Sequence, residues 1–203
     1  MTDLNMGCGS LAIKKWDNID YDKTLINWFL TYSPDLLPYF KVHDVLNGIP
    51  YSNDSVDRIY LSNFIEHLEP IECRKFLREC LRVLKYNGKV RILVPDMDII
   101  IKHYNENNMD IFNEGQPEMF KKSSSSARLS YILFGNLYNS DPNYPKDNMY
   151  LGHKMAYNLE SLSSLLLEIG FKITKSNTFD DILYLERNHL PLWYMLIVEA
   201  EKV

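Results

Sequence analysis

Cysteine is scarce in this chain. Its 203 residues include three, Cys8, Cys73 and Cys80, too few for a disulfide framework or a four-thiolate metal site. Long apolar runs are missing too. The longest, Leu190 to Val198, falls short of the roughly 20 residues that a membrane-spanning helix needs. The N-terminus, Met-Thr-Asp-Leu-Asn, has neither a basic flank nor an apolar stretch, so no signal peptide is expected. These features point to a cytoplasmic, reduced protein with no membrane partner. Positive charge is also short. Lys and Arg number 22 against 27 Asp and Glu, a formal charge of −5. A nucleic-acid surface needs a basic face, so nucleic acid is not expected as a partner. No His, Cys, Asp or Glu spacing in the sequence suggests a metal site, and the expectation is of no metal.

What is present is a core and a glycine turn. Apolar residues make up 46% of the chain, and the length suits one domain spanning residues 1–203. Asp3-Leu-Asn-Met-Gly-Cys-Gly-Ser10 reads as a short strand running into a turn. Gly7 and Gly9 let backbone approach a ligand with no Cβ between. The stretch Trp16 to Asp22 is a second short run ending in acid. A glycine turn after one strand and a carboxylate after the next is how an α/β fold holds a nucleoside. Asp20 suits the ribose hydroxyls; it could also be a turn residue, with Asp22 its rival. Residues 10–16 are too few for a helix with its loops, so the first crossover is abbreviated.

The rest of the chain alternates. Residues 23–40 suggest a short helix and then a proline-broken loop. Val42-His-Asp44-Val reads as a strand ending in acid, and Val56–Ser62 as a strand with Ile59 and Leu61 on one face and Tyr60 on the other. Pro70 opens the clearest helix. There Cys73, Phe76, Leu77, Cys80, Leu81 and Leu84 recur at helical spacing, which makes the two thiols core residues. Asn87-Gly88 suggests a left-handed cap for this helix, followed by a buried strand from Lys89 to Pro95. Residues 97–152 are less regular. Ile99–Tyr104 and Ala127–Leu137 look helical, Ser123–Ser126 is expected to be mobile, and Ser140–Asp147 reads as a loop. This block is the natural source of a lid or substrate insertion. Asn158 suits the N-cap of a helix over Leu159–Ile169 that stops at Gly170. Strands are expected at Phe171–Thr174 and Trp193–Ala200. The pattern implies an α/β fold with a mostly parallel sheet and helices on both faces.

Several stretches then line up in order: Leu4-Asn-Met-Gly-Cys-Gly9, Asn18-Ile-Asp20, His43-Asp44, Pro50 to Asp57, Glu66-His-Leu68, Leu81 to Gly88, Val94-Pro-Asp96, Gly152-His-Lys154 and Glu168-Ile-Gly-Phe171. Together they closely resemble the class I S-adenosylmethionine-dependent methyltransferases, specifically the short type 11 branch often found with polysaccharide biosynthesis. The resemblance implies a doubly wound, Rossmann-like, seven-stranded sheet with an antiparallel last strand. It implies S-adenosylmethionine as cofactor, with S-adenosylhomocysteine as product. Gly7, Cys8 and Gly9 would pass beneath the methionine and ribose. Asp20 would take the ribose, Asp44 and Val45 the adenine, and Ser62 and Asn63 the methionine end. Asp44 could instead cap a loop, and Cys8 is expected to pack and not to act as a nucleophile.

Methyl transfer from a sulfonium is an in-line displacement, and the protein mainly orients the acceptor. A base is needed only where the acceptor loses a proton. His67, after the fourth strand, and His153, at the end of the insertion, are the catalytic candidates. His67 could equally cap the next helix. Glu66 could orient either histidine, while Arg128, Lys154 and Tyr157 are candidates for acceptor binding. The expected activity is transfer of a methyl group to a small polar acceptor, a sugar or nucleotide-sugar hydroxyl or amine, by a monomer or homodimer. Two alternatives stand beside it. One is a non-catalytic cofactor-binding or scaffold protein, for which Leu11 in place of a third glycine leaves room. The other is a nicotinamide-dependent enzyme with Ala12 at the third position of its turn.

Overall fold

The computed structural model describes residues 1–113, 118–134, 152–176 and 194–203. Its strands are β1 (Asp3–Met6), β2 (Asp17–Asp20), β3 (Phe40–Val42), β4 (Val56–Ser62), β5 (Leu84–Pro95), β6 (Phe171–Ser176) and β7 (Met195–Lys202). They form one seven-stranded sheet in the order β3-β2-β1-β4-β5-β7-β6. The first five strands pair in parallel. β7 runs antiparallel to both of its neighbours. This is the doubly wound Rossmann-like sheet that the family resemblance implies, and it bears out the mostly parallel sheet read from the sequence pattern. No described helix is long and apolar enough to cross a membrane.

Alternation along the strands decides which side chains meet which layer. Leu4, Met6, Ile59, Leu61, Val90 and Ile92 pack with Phe76, Leu77 and Cys80 of α2 (Pro70–Val83) and Leu162 and Leu166 of α6 (Leu159–Ile169). Tyr60, Leu93 and Ile197 face the other way, onto Ile13 and Trp16. Beyond them, α3 (Met97–Asn105), α4 (Glu118–Lys121) and α5 (Ser125–Phe134) bury a smaller cluster of Ile100, Met109, Phe112, Phe120 and Ile132. Tyr194 touches both of the latter groups.

The helix boundaries follow their caps. α2 begins with Pro70 at its first position and a reciprocal Glu69–Glu72 capping box. α6 starts at Asn158, which exchanges hydrogen bonds with Ser161, and stops at Gly170 with φ 111°. Three expectations are corrected. α2 ends at Val83, because the fully buried Leu84 already pairs with Val56 as sheet. Asn87 does adopt φ 61°, but inside β5, where the register then jumps to Lys89 opposite Arg58. The third strand is Phe40–Val42, two residues early, and Asp44 instead caps the 3₁₀ turn Val45–Asn47 by accepting from Leu46 N at 2.9 Å. Ser124–Ser126 are helix-starting residues: the Ser124 hydroxyl accepts from Ala127 N at 3.3 Å as α5 begins. The expected loop at Ser140–Asp147, the end of the helix expected to reach Leu137, and Trp193 lie outside the described residues.

The abbreviated first crossover is held by buried amides. Between β1 and β2 the chain forms no helix, so its backbone groups need other partners. Asn18, fully buried, supplies them. Its Oδ1 accepts from Ile13 N at 2.6 Å and from Asn5 Nδ2 at 2.8 Å. Its Nδ2 donates to the carbonyls of Ile13 and Trp16, both at 2.9 Å. Asn5 Nδ2 also donates to Leu11 O at 3.0 Å. Removing such a hub leaves several buried backbone groups unpaired. Asn18→Leu should therefore cost about 3 kcal/mol of stability, whereas Lys14→Ala, which breaks an exposed pair with Asp35, should change it by less than about 0.5 kcal/mol. Urea denaturation of the two variants beside wild type checks the contrast.

Candidate active site

The carboxyl ends of β1, β2 and β4 open onto a cavity of about 260 Å³. Its floor is the glycine turn, where Gly7 and Gly9 adopt φ 62° and 50°. The two glycines serve different ends. A Cβ on Gly7 would lie 2.2 Å from the Phe64 ring, whereas a Cβ on Gly9 would meet nothing within 4 Å. Gly7 thus admits Phe64, which packs edge-on against Phe76 at 5.2 Å. Gly9 leaves open space above the turn. Gly9 N donates to Asp20 Oδ2 at 2.9 Å, and Asp22 N to Asp20 Oδ1 at 3.0 Å. Burial raises the Asp20 carboxyl above the usual range, and those backbone donors offset part of the shift. Asp20 therefore both fixes the turn and lines the cavity.

Asp44, Val45 and His43 also line this cavity. The Asp44 carboxylate is already engaged, accepting from Leu46 N and from Asn47 Nδ2 at 3.1 Å. Asn63 adopts φ 51° just past β4 and donates through its backbone to Leu93 O at 2.9 Å. Asparagine tolerates this left-handed geometry better than most residues. It is here that the chain leaves the sheet and lays Phe64 and His67 along the cavity wall.

At that wall the fold assembles a group that sequence spacing hides. Glu66 and His67 belong to the 3₁₀ turn Ile65–His67. His153 arrives on a distant segment whose backbone docks there, Lys154 N and Met155 N both donating to Glu66 O at 2.7 and 3.2 Å. The His67 and His153 rings meet edge-on with centroids 4.7 Å apart. Ligand atoms of Glu66, His67 and His153 all lie within 4.8 Å of one another. Glu66 is 1% exposed, and neither carboxylate oxygen makes a hydrogen bond of ordinary geometry. Burial pushes its carboxyl up to about 8. Burial likewise lowers His153, against the pull of the Leu133 and Ile132 carbonyls.

Of the residues singled out by sequence, Gly7, Gly9, Asp20, Asp44, Val45, Asn63 and His67 line the large cavity at the carboxyl ends of the strands. Cys8 is buried beneath the turn, its thiol donating to Gly9 O at 3.4 Å. Ser62 is buried in β4 and does not line the cavity. None of the three residues expected to bind the acceptor lines the large cavity. Tyr157 is a core residue whose hydroxyl donates to Cys73 Sγ at 3.6 Å. Arg128 pairs with Asp110 and donates to Ser123 O at 3.0 Å, tying α5 to the turns before it. Lys154 reaches towards Glu69, at 3.9 Å, on the flank of α2. Within residues 97–134, Ile132 and Leu133 border a small void beside Glu66 and His153, and no described residue of that block lines the large cavity. Phe64, Tyr21 and Leu46 also line that cavity, and sequence reasoning missed them. Phe64 had one signal: it lies between Asn63 and the Glu66-His67 pair.

Residues 4–92 match the family model described as a methyltransferase domain. That span covers the glycine turn, Asp20, Asp44 and the Glu66-His67 turn. Among solved structures, a SAM-dependent methyltransferase from Methanosarcina mazei superposes with a TM-score of 0.59 at 17% identity, over 100% of this chain and 92% of that one. One from Aquifex aeolicus gives 0.52 at 17%, over 100% and 82%. The PH0226 protein of Pyrococcus horikoshii gives 0.60 at 14%, over 100% and 82%. At such identities the likeness is one of fold. No curated protein sequence matches the chain.

The two glycines give a paired test. Gly7→Ala should displace Phe64 and lower stability by about 3 kcal/mol, from steric overlap plus the left-handed backbone. Gly9→Ala should cost only about 1–2 kcal/mol, the backbone cost alone, while placing a methyl group where a ligand would pass. Thermal melts rank the two; a larger loss in Gly9→Ala would contradict the assignment.

Proposed function

We propose that this chain is an S-adenosylmethionine-dependent methyltransferase acting on a small polar acceptor. The observation that carries the reading is the cavity at the carboxyl ends of β1, β2 and β4, floored by Gly7 and Gly9 and walled by Asp20. In open α/β sheets ligands bind in this crevice. The methyltransferase-domain match over residues 4–92 supports the choice of cofactor over a nicotinamide. Asp20 accepts the ribose hydroxyls, with the Gly9 N–H holding the carboxylate in place. Gly7 and Gly9 give the methionine and ribose a floor without side chains, and Asp44 and Val45 border the adenine. Cys8 and Ser62, buried behind this wall, shape it without touching the ligand.

The acceptor belongs at the other end, beside His67. The reaction is an in-line displacement: the acceptor atom attacks the methyl carbon, the S–C bond breaks towards sulfur, and S-adenosylhomocysteine leaves. Orientation supplies most of the rate. An oxygen acceptor must also lose a proton, and the His67–His153 pair is the group at hand to manage it. A sugar or nucleotide-sugar hydroxyl is the acceptor class we favour, and no wall of the cavity selects it over other alcohols. The block at residues 97–152 is the proposed acceptor-side insertion, within a single domain of 203 residues.

Calorimetry with S-adenosylhomocysteine tests the cofactor. Wild type should bind in the micromolar range, and Asp20→Ala should bind about 10–100-fold more weakly, the worth of hydrogen bonds to a charged group. Because burial raises the Asp20 carboxyl, protonation removes its acceptor capacity at a higher pH than for an exposed Asp. Affinity should therefore fall as pH drops through that raised value, and in Asp20→Asn this pH dependence should vanish. A folded wild type that binds neither S-adenosylmethionine nor its product sinks the reading, and binding of a nicotinamide dinucleotide instead would favour the dehydrogenase alternative.

A further inference from the structure

Glu66 is the least explained charged residue of the described chain. It is 1% exposed, neither of its oxygens makes a hydrogen bond of ordinary geometry among the described residues, only the Phe64 and Glu66 backbone N–H groups pull weakly on it, and it borders a void of about 10 Å³ whose other walls include Val94, Ile132, Leu133 and Met155. A buried carboxylate without a partner is costly, and native proteins satisfy such groups with a hydrogen-bond donor, a counter-charge or a metal. No lysine or arginine borders this void. Two imidazoles meet the carboxylate instead, all three ligand atoms within 4.8 Å of each other.

His153 is oriented as a ligand usually is. His153 Nδ1 lies 3.2 Å from Leu133 O. A carbonyl can only accept, so Nδ1 carries the proton and Nε2 keeps its lone pair. A ring N–H given to a backbone carbonyl, with the other nitrogen left to the metal, is the recurring outer arrangement of metal-bound histidine. Its approach is fixed by backbone as well, since His153 N donates to Phe134 O at 3.1 Å and the next two amides donate to Glu66 O. His67 contributes the third donor from the residue adjacent to Glu66 and also lines the large cavity.

We infer that Glu66, His67 and His153 form a binding site for a divalent first-row transition-metal ion at the edge of the large cavity. Two imidazole nitrogens and one carboxylate oxygen are a donor set suited to Zn²⁺ and its neighbours, three protein ligands with a further coordination position left open. Four-coordinate zinc at ordinary bond lengths places its ligand atoms about 3.3 Å apart, so a cluster whose ligand atoms lie within 4.8 Å of one another closes by up to about 1.5 Å when it takes the ion. The role assigned to the ion rests on the methyltransferase reading: beside His67 it binds the acceptor oxygen as a Lewis acid. With both imidazoles taken up as ligands, the ion replaces the histidine pair as the group that acidifies the acceptor: the O–H proton passes to water, the oxygen forms its bond to the methyl carbon, and the S–C electron pair returns to sulfur. The ion itself undergoes no change of oxidation state.

The test is made on untagged, full-length protein stripped with chelator, without any cofactor, so that it is independent of S-adenosylmethionine binding. Co²⁺ is titrated as a visible-absorbing probe, then displaced by Zn²⁺. Wild type should take up one equivalent, with the intense visible bands of low-coordinate Co²⁺. Glu66→Gln, which keeps shape and removes charge, should weaken binding by at least about 100-fold, more than the loss of an outer-shell partner. His153→Gln should do the same, while His103→Gln, remote from the cluster, should bind as wild type. Zn²⁺ should raise the melting temperature of wild type and leave that of Glu66→Gln unchanged. A folded wild type that binds no stoichiometric Co²⁺ or Zn²⁺ overturns the inference, as does a Glu66→Gln protein that binds like wild type. S-adenosylhomocysteine calorimetry on the same stripped samples reports separately on the cofactor, so failure of one reading is not mistaken for failure of the other.

Discussion

The fold's functional end depends on one buried amide. Asn18 sits on β2, but most of its hydrogen bonds go to the chain between β1 and β2. In the usual βαβ unit a helix satisfies the crossover backbone internally and covers one sheet face. Here the crossover is too short for that, and a side-chain amide stands in for the missing helix. This substitution fixes how far the turn rises above the sheet, and hence where Gly7 and Gly9 lie under the cavity. Asp20, two residues on, then ties Gly9 N to β2. One four-residue strand thus carries both the support of the turn and the carboxylate that closes it.

Two buried carboxylates share the region and differ in a telling way. Asp20 accepts from two backbone N–H groups, so its charge is partly met before any ligand arrives. Glu66 accepts none of ordinary geometry among the described residues, and the nearby Phe64 and Glu66 N–H groups offset little of its burial. A pre-satisfied carboxylate suits steady recognition of neutral hydroxyls, because its own energy changes little on binding. An unsatisfied one is where a cation or a proton is gained and lost. The difference follows from how backbone donors are aimed: at the tight glycine turn two meet the Asp20 carboxylate squarely, and at the wall beside α5 none meets Glu66 in ordinary geometry.

Much of this was legible in the sequence, and the boundary has a physical basis. Local chemistry was readable: β4 at Val56–Ser62, α2 opening at Pro70, and α6 between Asn158 and Gly170 follow from alternation and caps that act within a few residues. The glycine turn and Asp20 were readable because their spacing along two adjacent strands is short. Asn87-Gly88 misled because a left-handed residue serves a strand bulge as well as a helix end, and the burial of Leu84, a tertiary fact, decided between them. Tyr157 and Arg128 looked like binding groups because they are polar residues near a loop-rich block. Which hydroxyl finds a core thiol and which guanidinium finds Asp110 is settled only by packing.

The Glu66–His67–His153 cluster marks the limit of that legibility. Metal spacing rules work where ligands share a helix face or a loop, and here one ligand comes from the far side of the insertion. What brings it in is backbone, not side-chain attraction: the carbonyl of Glu66 takes two N–H groups from the segment at 154–155, and the Asp96–Tyr157 bridge holds that segment against the end of β5. The same segment buries Tyr157 in the main core. His153 is therefore held between two anchored points, with its ring fixed by a carbonyl of α5. Any rearrangement of α5 that moves Leu133 must also move that ring relative to Glu66. The α5 helix is in this way joined through His153 to the wall where Glu66 and His67 meet, although no described residue of 97–134 lines the large cavity itself.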